Sequence, residues 1–133
     1  MYYFACGSNL NRKQMLERCP GSQPKFTATL HNYRLIFVGW SRQWRGGVAS
    51  IKLSRGDRVL GAIYDVPEAD GRRLDRYEGY PESSRLKVTV FNEDGDAIEA
   101  VTYIKTRPSE ETEPSREYLA LLRQGYRDWG IID

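Results

Sequence analysis

Apolar and polar positions divide the chain into a few sharply different segments. Met1 to Cys6 carries no charge and is β-prone throughout, the pattern of a strand buried on both faces. It stops at Gly7-Ser8-Asn9, where a glycine permits backbone angles closed to other residues. Either Ser8 or Asn9 is placed to cap a helix running through Asn11 to Arg18. Three β-type runs fill the middle: Leu35 to Val38, the alternating Gly47 to Leu53, and the apolar Val59 to Val66. The turn residues Ser54-Arg55-Gly56-Asp57 part the second from the third. Beyond Pro67, residues 68–78 read as a short helix ended by Gly79. Leu86 to Phe91 and Ala97 to Ile104 form a hairpin about Asn92-Glu93-Asp94-Gly95-Asp96. A polar stretch from Pro108 to Pro114 leads to a last helix from Ser115, with Tyr118, Leu119, Leu121 and Leu122 at helical spacing. The expectation is an α+β fold, one domain over residues 1–133. Its sheet is mostly antiparallel and closes into a small barrel, with helices packed outside.

Composition narrows the partners. At 133 residues with a net charge of +2, there is no concentrated basic face of the kind that binds phosphate backbones, so no nucleic acid is expected. No apolar run approaches the roughly 20 residues of a membrane helix, and the N-terminus lacks an export signal. The expected location is cytoplasmic, with Cys6 and Cys19 reduced. One histidine and two cysteines are a poor ligand inventory, so neither metal nor cofactor is expected. Trp40, Trp44 and Trp129 offer aromatic surface for a partner subunit, which leaves a homodimer open.

Three places hold candidate chemistry. The strand, tight turn and helix start around Gly7 aim backbone N–H groups at one point, a receptor for a carboxylate or a carbonyl oxygen. Geometry alone also explains such a turn. Glu78 sits at a helix C-terminus behind Leu74 and Tyr77. The dipole and partial burial there both raise a carboxyl pKa toward the range useful for proton transfer. The competing reading is a surface glutamate before a capping glycine. Cys6 is a third candidate, a nucleophile for an amidase with His31 as its base. A small buried thiol is the favoured reading.

These segments together resemble the γ-glutamylcyclotransferase-like family, nearly end to end. Tyr3-Phe4-Ala5-Cys6-Gly7-Ser8-Asn9-Leu10 is similar to its Tyr-Gly-Ser-Asn loop, and Trp44-Arg45-Gly46-Gly47-Val48-Ala49 to its Trp-x-Gly-Gly-x-Ala strand. Leu74-Asp75-Arg76-Tyr77-Glu78-Gly79 is similar to Leu-Asp-x-x-Glu-Gly, and Pro114-Ser115-Arg116-Glu117-Tyr118 to the opening of the final helix. The resemblance implies a barrel and a reaction in which a γ-glutamyl amine attacks its own side-chain carbonyl, giving 5-oxoproline and an amine or amino acid. It implies Glu78 as the proton carrier, with Cys6, Gly7, Ser8, Asn9, Leu10 and Tyr118 around a small γ-glutamyl substrate. The alternative is an inactive carboxylate-binding or protein-interaction module of the same fold. One departure stands out: Cys6 occupies the place of the family's usual tyrosine, and Tyr2, Tyr3 and Tyr80 are candidates to compensate.

Overall fold

The computed structural model describes residues 1–79, 82–107 and 109–131. Five strands, β1 (Tyr2–Ala5), β2 (Gln23–Ser41), β3 (Gly46–Asp65), β4 (Ser83–Phe91) and β5 (Ala97–Lys105), close into a barrel in the order β1-β3-β2-β4-β5. Three helices complete the chain: α1 (Arg12–Arg18), α2 (Glu68–Tyr77) and α3 (Arg116–Asp128). Among the described residues no helix is long and apolar enough to cross a membrane.

The uncharged opening run becomes β1, and alternation along it explains why it tolerates no charge. Phe4 and Cys6 face one cluster with Leu30, Ile63, Val88 and Val90, while Tyr3 and Ala5 face a second with Leu10, Met15, Tyr64 and Leu74. The second cluster is the one that α1 and α2 cover. Phe4 and Ile63 are fully buried, each contributing roughly 1.5–3 kcal/mol of transfer free energy. β1 pairs antiparallel with β3 and parallel with β5, and the Thr102 hydroxyl donates to Phe4 O at 3.0 Å across that parallel seam.

The sheet departs from the expected strand list in one respect. The runs 47–53 and 59–66 are a single strand, β3, paired along a correspondingly long β2. Residues 54–57 do not reverse the chain; they bulge out between the pairs Tyr33↔Leu53 and His31↔Arg58. Asn32 takes φ +64 and Gly56 φ +89 there, and Gly56 N donates to Asn32 Oδ1 at 3.1 Å. Turn-forming residues therefore serve a bulge. The first half of β2, from Gln23 to Leu30, was not among the expected strands. Pro24 and the small Ala28 blunt its alternation, yet Ala28 and Leu30 are both buried.

Gly46 and Gly47 answer a packing demand. The polar segment before α3 lies against this end of the sheet: Thr112 N donates to Phe37 O at 2.9 Å, and Gly47 N to Glu113 O at 2.9 Å. A Cβ on Gly47 would stand 2.2 Å from Thr112 O, so backbone meets backbone where no side chain fits. This contact delivers the chain to Ser115, whose side chain caps α3 by accepting from Tyr118 N at 3.2 Å. The expected result of Gly47→Ala is a loss of about 1–3 kcal/mol in urea unfolding, with near-ultraviolet dichroism reporting displaced tyrosines and tryptophans. An unchanged midpoint would show that this contact does not anchor α3.

Candidate active site

Between β1 and α1 the chain makes a single 3-10 turn, Ser8–Leu10. The helix cap expected at Ser8 or Asn9 falls instead on Asn11, whose Oδ1 accepts from Gln14 N at 3.1 Å. The shift frees the side chains of Ser8 and Asn9 for other partners. Gly7 packs so closely on Ala49 that an added Cβ would lie 2.9 Å from the alanine Cβ. Ser8 and Asn9, at the start of this turn, have no preceding turn to take their backbone N–H groups.

Beside it lies a cavity of about 350 Å³ at the end of the barrel, lined among others by Cys6, Gly7, Ser8, Asn9, Glu78 and Tyr118. The residues expected to act together, some seventy positions apart in sequence, therefore share one chamber. Leu10 is the exception. Its side chain is fully buried in the core under the helices, while its carbonyl accepts from Trp129 Nε1 at 2.9 Å. Leu10 holds the turn against the C-terminal helix and does not face the cavity.

Glu78 follows the last residue of α2, with its N–H donating to Leu74 O at 2.9 Å. Gly79, at φ +90, ends the helix behind it. The carboxylate is held asymmetrically. Tyr3 Oη donates to Oε1 at 2.8 Å and Asn9 Nδ2 donates to the same oxygen at 2.9 Å, leaving Oε2 to the cavity. Burial raises the pKa of Glu78, and the bonds from Tyr3 and Asn9, with the charges of Arg18 and Lys105, offset only part of that. Of the two apolar neighbours expected to bury it, Leu74 is fully buried while Tyr77 is 54% exposed, and Tyr3 and Cys6 line the cavity beside the carboxylate.

Asn9 has no freedom to turn its amide round. Its Oδ1 accepts from Gln14 Nε2 and from Arg18 Nη1, each at 3.1 Å, which obliges Nδ2 to face Glu78. Gln14 also donates to Ser8 Oγ at 2.8 Å. Tyr3 is set by a second chain of contacts. Its ring packs edge-on against Tyr103, centroids 5.9 Å apart, and the Tyr103 hydroxyl donates to Asp75, which Arg85 Nε also binds at 2.8 Å. Burial alone pushes Asp75 up, but the bonds from Arg85 and Tyr103 outweigh it and hold the carboxyl below its ordinary value.

Tyr118 closes the opposite wall. It is buried and accepts from Ala49 N at 2.9 Å. Phe37 and Trp44 pack on its ring. Burial raises its pKa to about 12, so it remains a neutral hydroxyl.

The side-chain roles of Tyr3 and Asn9 leave no local signal in the sequence. A tyrosine inside an apolar strand and an asparagine in a turn read locally as core and geometry. Of the candidates to compensate for Cys6, Tyr3 reaches the cavity, Tyr2 packs edge-on against Phe26, and Tyr80 lies outside the described residues. Cys6 is a poor nucleophile. Burial, with the nearby Glu78 charge, raises its thiol to about 12, and its only candidate base, His31, packs at a tilt against Phe91, ring centroids 5.3 Å apart. Among the tryptophans, Trp44 and Trp129 are spent on internal contacts, and Trp40 alone is 67% exposed.

The closed five-stranded barrel is shared with solved proteins. One solved structure, titled gamma-glutamyl cyclotransferase, superposes with a TM-score of 0.93 at 29% identity, covering 98% of this chain and 80% of that one. Curated gamma-glutamylcyclotransferases from Homo sapiens and Bos taurus are each 30% identical over 97% of this chain and 71% of their own length. Residues 3–127 match the model of the family described as gamma-glutamyl cyclotransferase, AIG2-like. The chain belongs to that family, which is a family of enzymes.

The raised pKa of Glu78 has a consequence for stability. The folded state binds the proton more tightly than the unfolded chain, so ionising Glu78 opposes folding as pH rises through the raised value. Glu78→Gln is expected to melt higher than wild type at pH 7–8, with the gap closing as pH falls to the ordinary glutamate value of about 4.3. A gap that widened toward acid would contradict the assigned direction.

Proposed function

We propose that the protein is a γ-glutamylcyclotransferase-type enzyme that cyclises small γ-glutamyl compounds to 5-oxoproline and releases an amine or amino acid. The observation carrying this reading is the carboxylate of Glu78, raised in pKa, pinned through one oxygen and open to the cavity through the other. Glu78 Oε2 takes a proton from the substrate's α-ammonium. The freed amine attacks the γ-carbonyl carbon, forming the C–N bond of the five-membered ring and an oxyanion. The old C–N bond then breaks as Glu78 returns the proton to the departing nitrogen, and the second proton of the ring nitrogen passes by way of Glu78 to the released amine, which leaves as an ammonium, so protons and electrons balance without a further reactant. Nucleophile and electrophile belong to one molecule, and holding it folded supplies much of the rate.

The backbone N–H groups at Gly7, Ser8 and Asn9 hold the glutamyl carboxylate and stabilise the oxyanion. The Tyr118 hydroxyl, fixed by Ala49, bonds the glutamyl end. Cys6 leaves room where a tyrosine would fill the wall, and Tyr3 supplies a hydroxyl from the neighbouring position. A non-catalytic carboxylate-binding module is less well supported. Such a module tolerates the acid ion-paired to arginine, whereas the arginine ion pairs among the described residues go to Asp75 and Glu111.

The direct test offers a panel of γ-glutamyl amino acids, amines and peptides and assays 5-oxoproline. At least one is turned over, and Glu78→Gln lowers kcat by roughly 10²–10⁴-fold; a folded Glu78→Gln protein working at full rate removes Glu78 from the mechanism. Activity rises with pH as Glu78 ionises, along a limb lying above the ordinary glutamate range. Tyr3→Phe removes a bond that favours the carboxylate, so this limb moves to higher pH. A limb that stays put in Tyr3→Phe would mean that the hydroxyl does not tune the base.

A further inference from the structure

A second groove, of about 380 Å³, runs beside the cavity between α1 and α2, walled by Glu17, Arg18, Arg73, Arg76 and Tyr77. Arg18 and Tyr77 line both spaces, so cavity and groove meet at this pair. The junction is built. The Arg18 guanidinium lies over the Tyr77 ring at 4.8 Å while Nη1 donates to Asn9 Oδ1 at 3.1 Å. Arg73 and Arg76 are exposed and stand three residues apart on α2, a spacing that puts them on one helix face. Neither takes part in the ion pairs among the described residues. Glu17 is the single acid on the groove's walls, against three arginines.

We propose that this groove is the subsite for the leaving half of the substrate, and that it selects leaving groups carrying a carboxylate beyond the one on their own α-carbon: acidic amino acids or short acidic peptides. The inference rests on the cyclotransferase reading of the cavity. Glu78 must reach the departing nitrogen to protonate it, and the residue next to it, Tyr77, borders the groove. A leaving group attached at that nitrogen therefore runs past the stacked Tyr77–Arg18 pair that borders both spaces, and its further carboxylates come abreast of Arg73 and Arg76. Exposed ion pairs are individually weak and screened by salt. The arginines consequently sort substrates at the encounter and binding stages and leave the chemical step alone.

The test compares γ-glutamyl-aspartate with γ-glutamyl-alanine in wild type and in an Arg73→Ala, Arg76→Ala double variant, at low and raised salt. Wild type favours the aspartate compound, and raised salt erodes the preference. The double variant loses about ten-fold in kcat/KM for that compound through KM, with turnover of γ-glutamyl-alanine changed less than about two-fold. Equal losses on both substrates, or none on the acidic one, overturn the proposal. Calorimetric Kd values on Glu78→Gln, which turns substrate over too slowly to disturb a titration, separate the two levels of inference. If no compound gives 5-oxoproline, the cyclotransferase reading fails. A calorimetric preference for the acidic ligand that disappears with the two arginines still upholds the groove, and its absence sinks it. Inorganic phosphate that binds the groove without displacing γ-glutamyl-aspartate also counts against it, since the groove would then serve a separate anion.

Discussion

Two donors converge on one oxygen of Glu78, and the rest of the site is arranged around that choice. A carboxylate withdrawn from water with no counter-ion in contact is costly. Charge-assisted hydrogen bonds, worth roughly 1.5–3 kcal/mol each, recover part of the cost. Here the recovery is incomplete, which is why the pKa ends above its ordinary value despite the bonds from Tyr3 and Asn9. A third donor or an arginine in contact would hold the charge more firmly and make it a weaker base. The site sits between a stranded acid and an inert ion pair.

Such a balance needs donors that do not move. Asn9 is locked because both hydrogen-bonding ends of its amide are used, the oxygen by Gln14 and Arg18 and the nitrogen by Glu78 and Tyr3. Tyr3 is locked through its ring, which leans on Tyr103, which in turn is tied to the Asp75–Arg85 pair on α2 and β4. Asp75 and Glu78 lie on the same helix end, so α2 both delivers the base and steadies the tyrosine that holds it. Arg18 joins this network to the groove beyond, since it bonds Asn9 and lines both spaces.

The sequence disclosed the parts whose signals are local. An uncharged strand, a glycine that stops it, a helix closed by Gly79 and a hairpin around Asn92–Asp96 are each written within ten residues, and the structure has all of them. Longer-range facts were hidden. Ser54 to Asp57 has the composition of a reversing turn, yet its conformation is decided by Asn32 on the opposing strand. Leu10 belongs to the motif by its place in the chain, but the helical 3-10 turn rotates its side chain into the core. Tyr77 precedes Glu78 and is apolar enough to bury it, yet its own side chain is largely exposed. Proximity of Glu78 to the Gly7 bend was inferable only by resemblance, because nothing in composition brings two segments so far apart to within 2.9 Å.

Following the Glu78 side-chain carboxyl by carbon-13 NMR as pH is varied tests the central claim most directly, with Glu78→Gln to assign the signal. The account predicts a single titration with its midpoint above about 4.3, the ordinary glutamate value, and a change in the Tyr3 ring resonances over the same interval. A midpoint at or below that value would mean a well-solvated or ion-paired acid, and the proton carrier would have to be sought elsewhere.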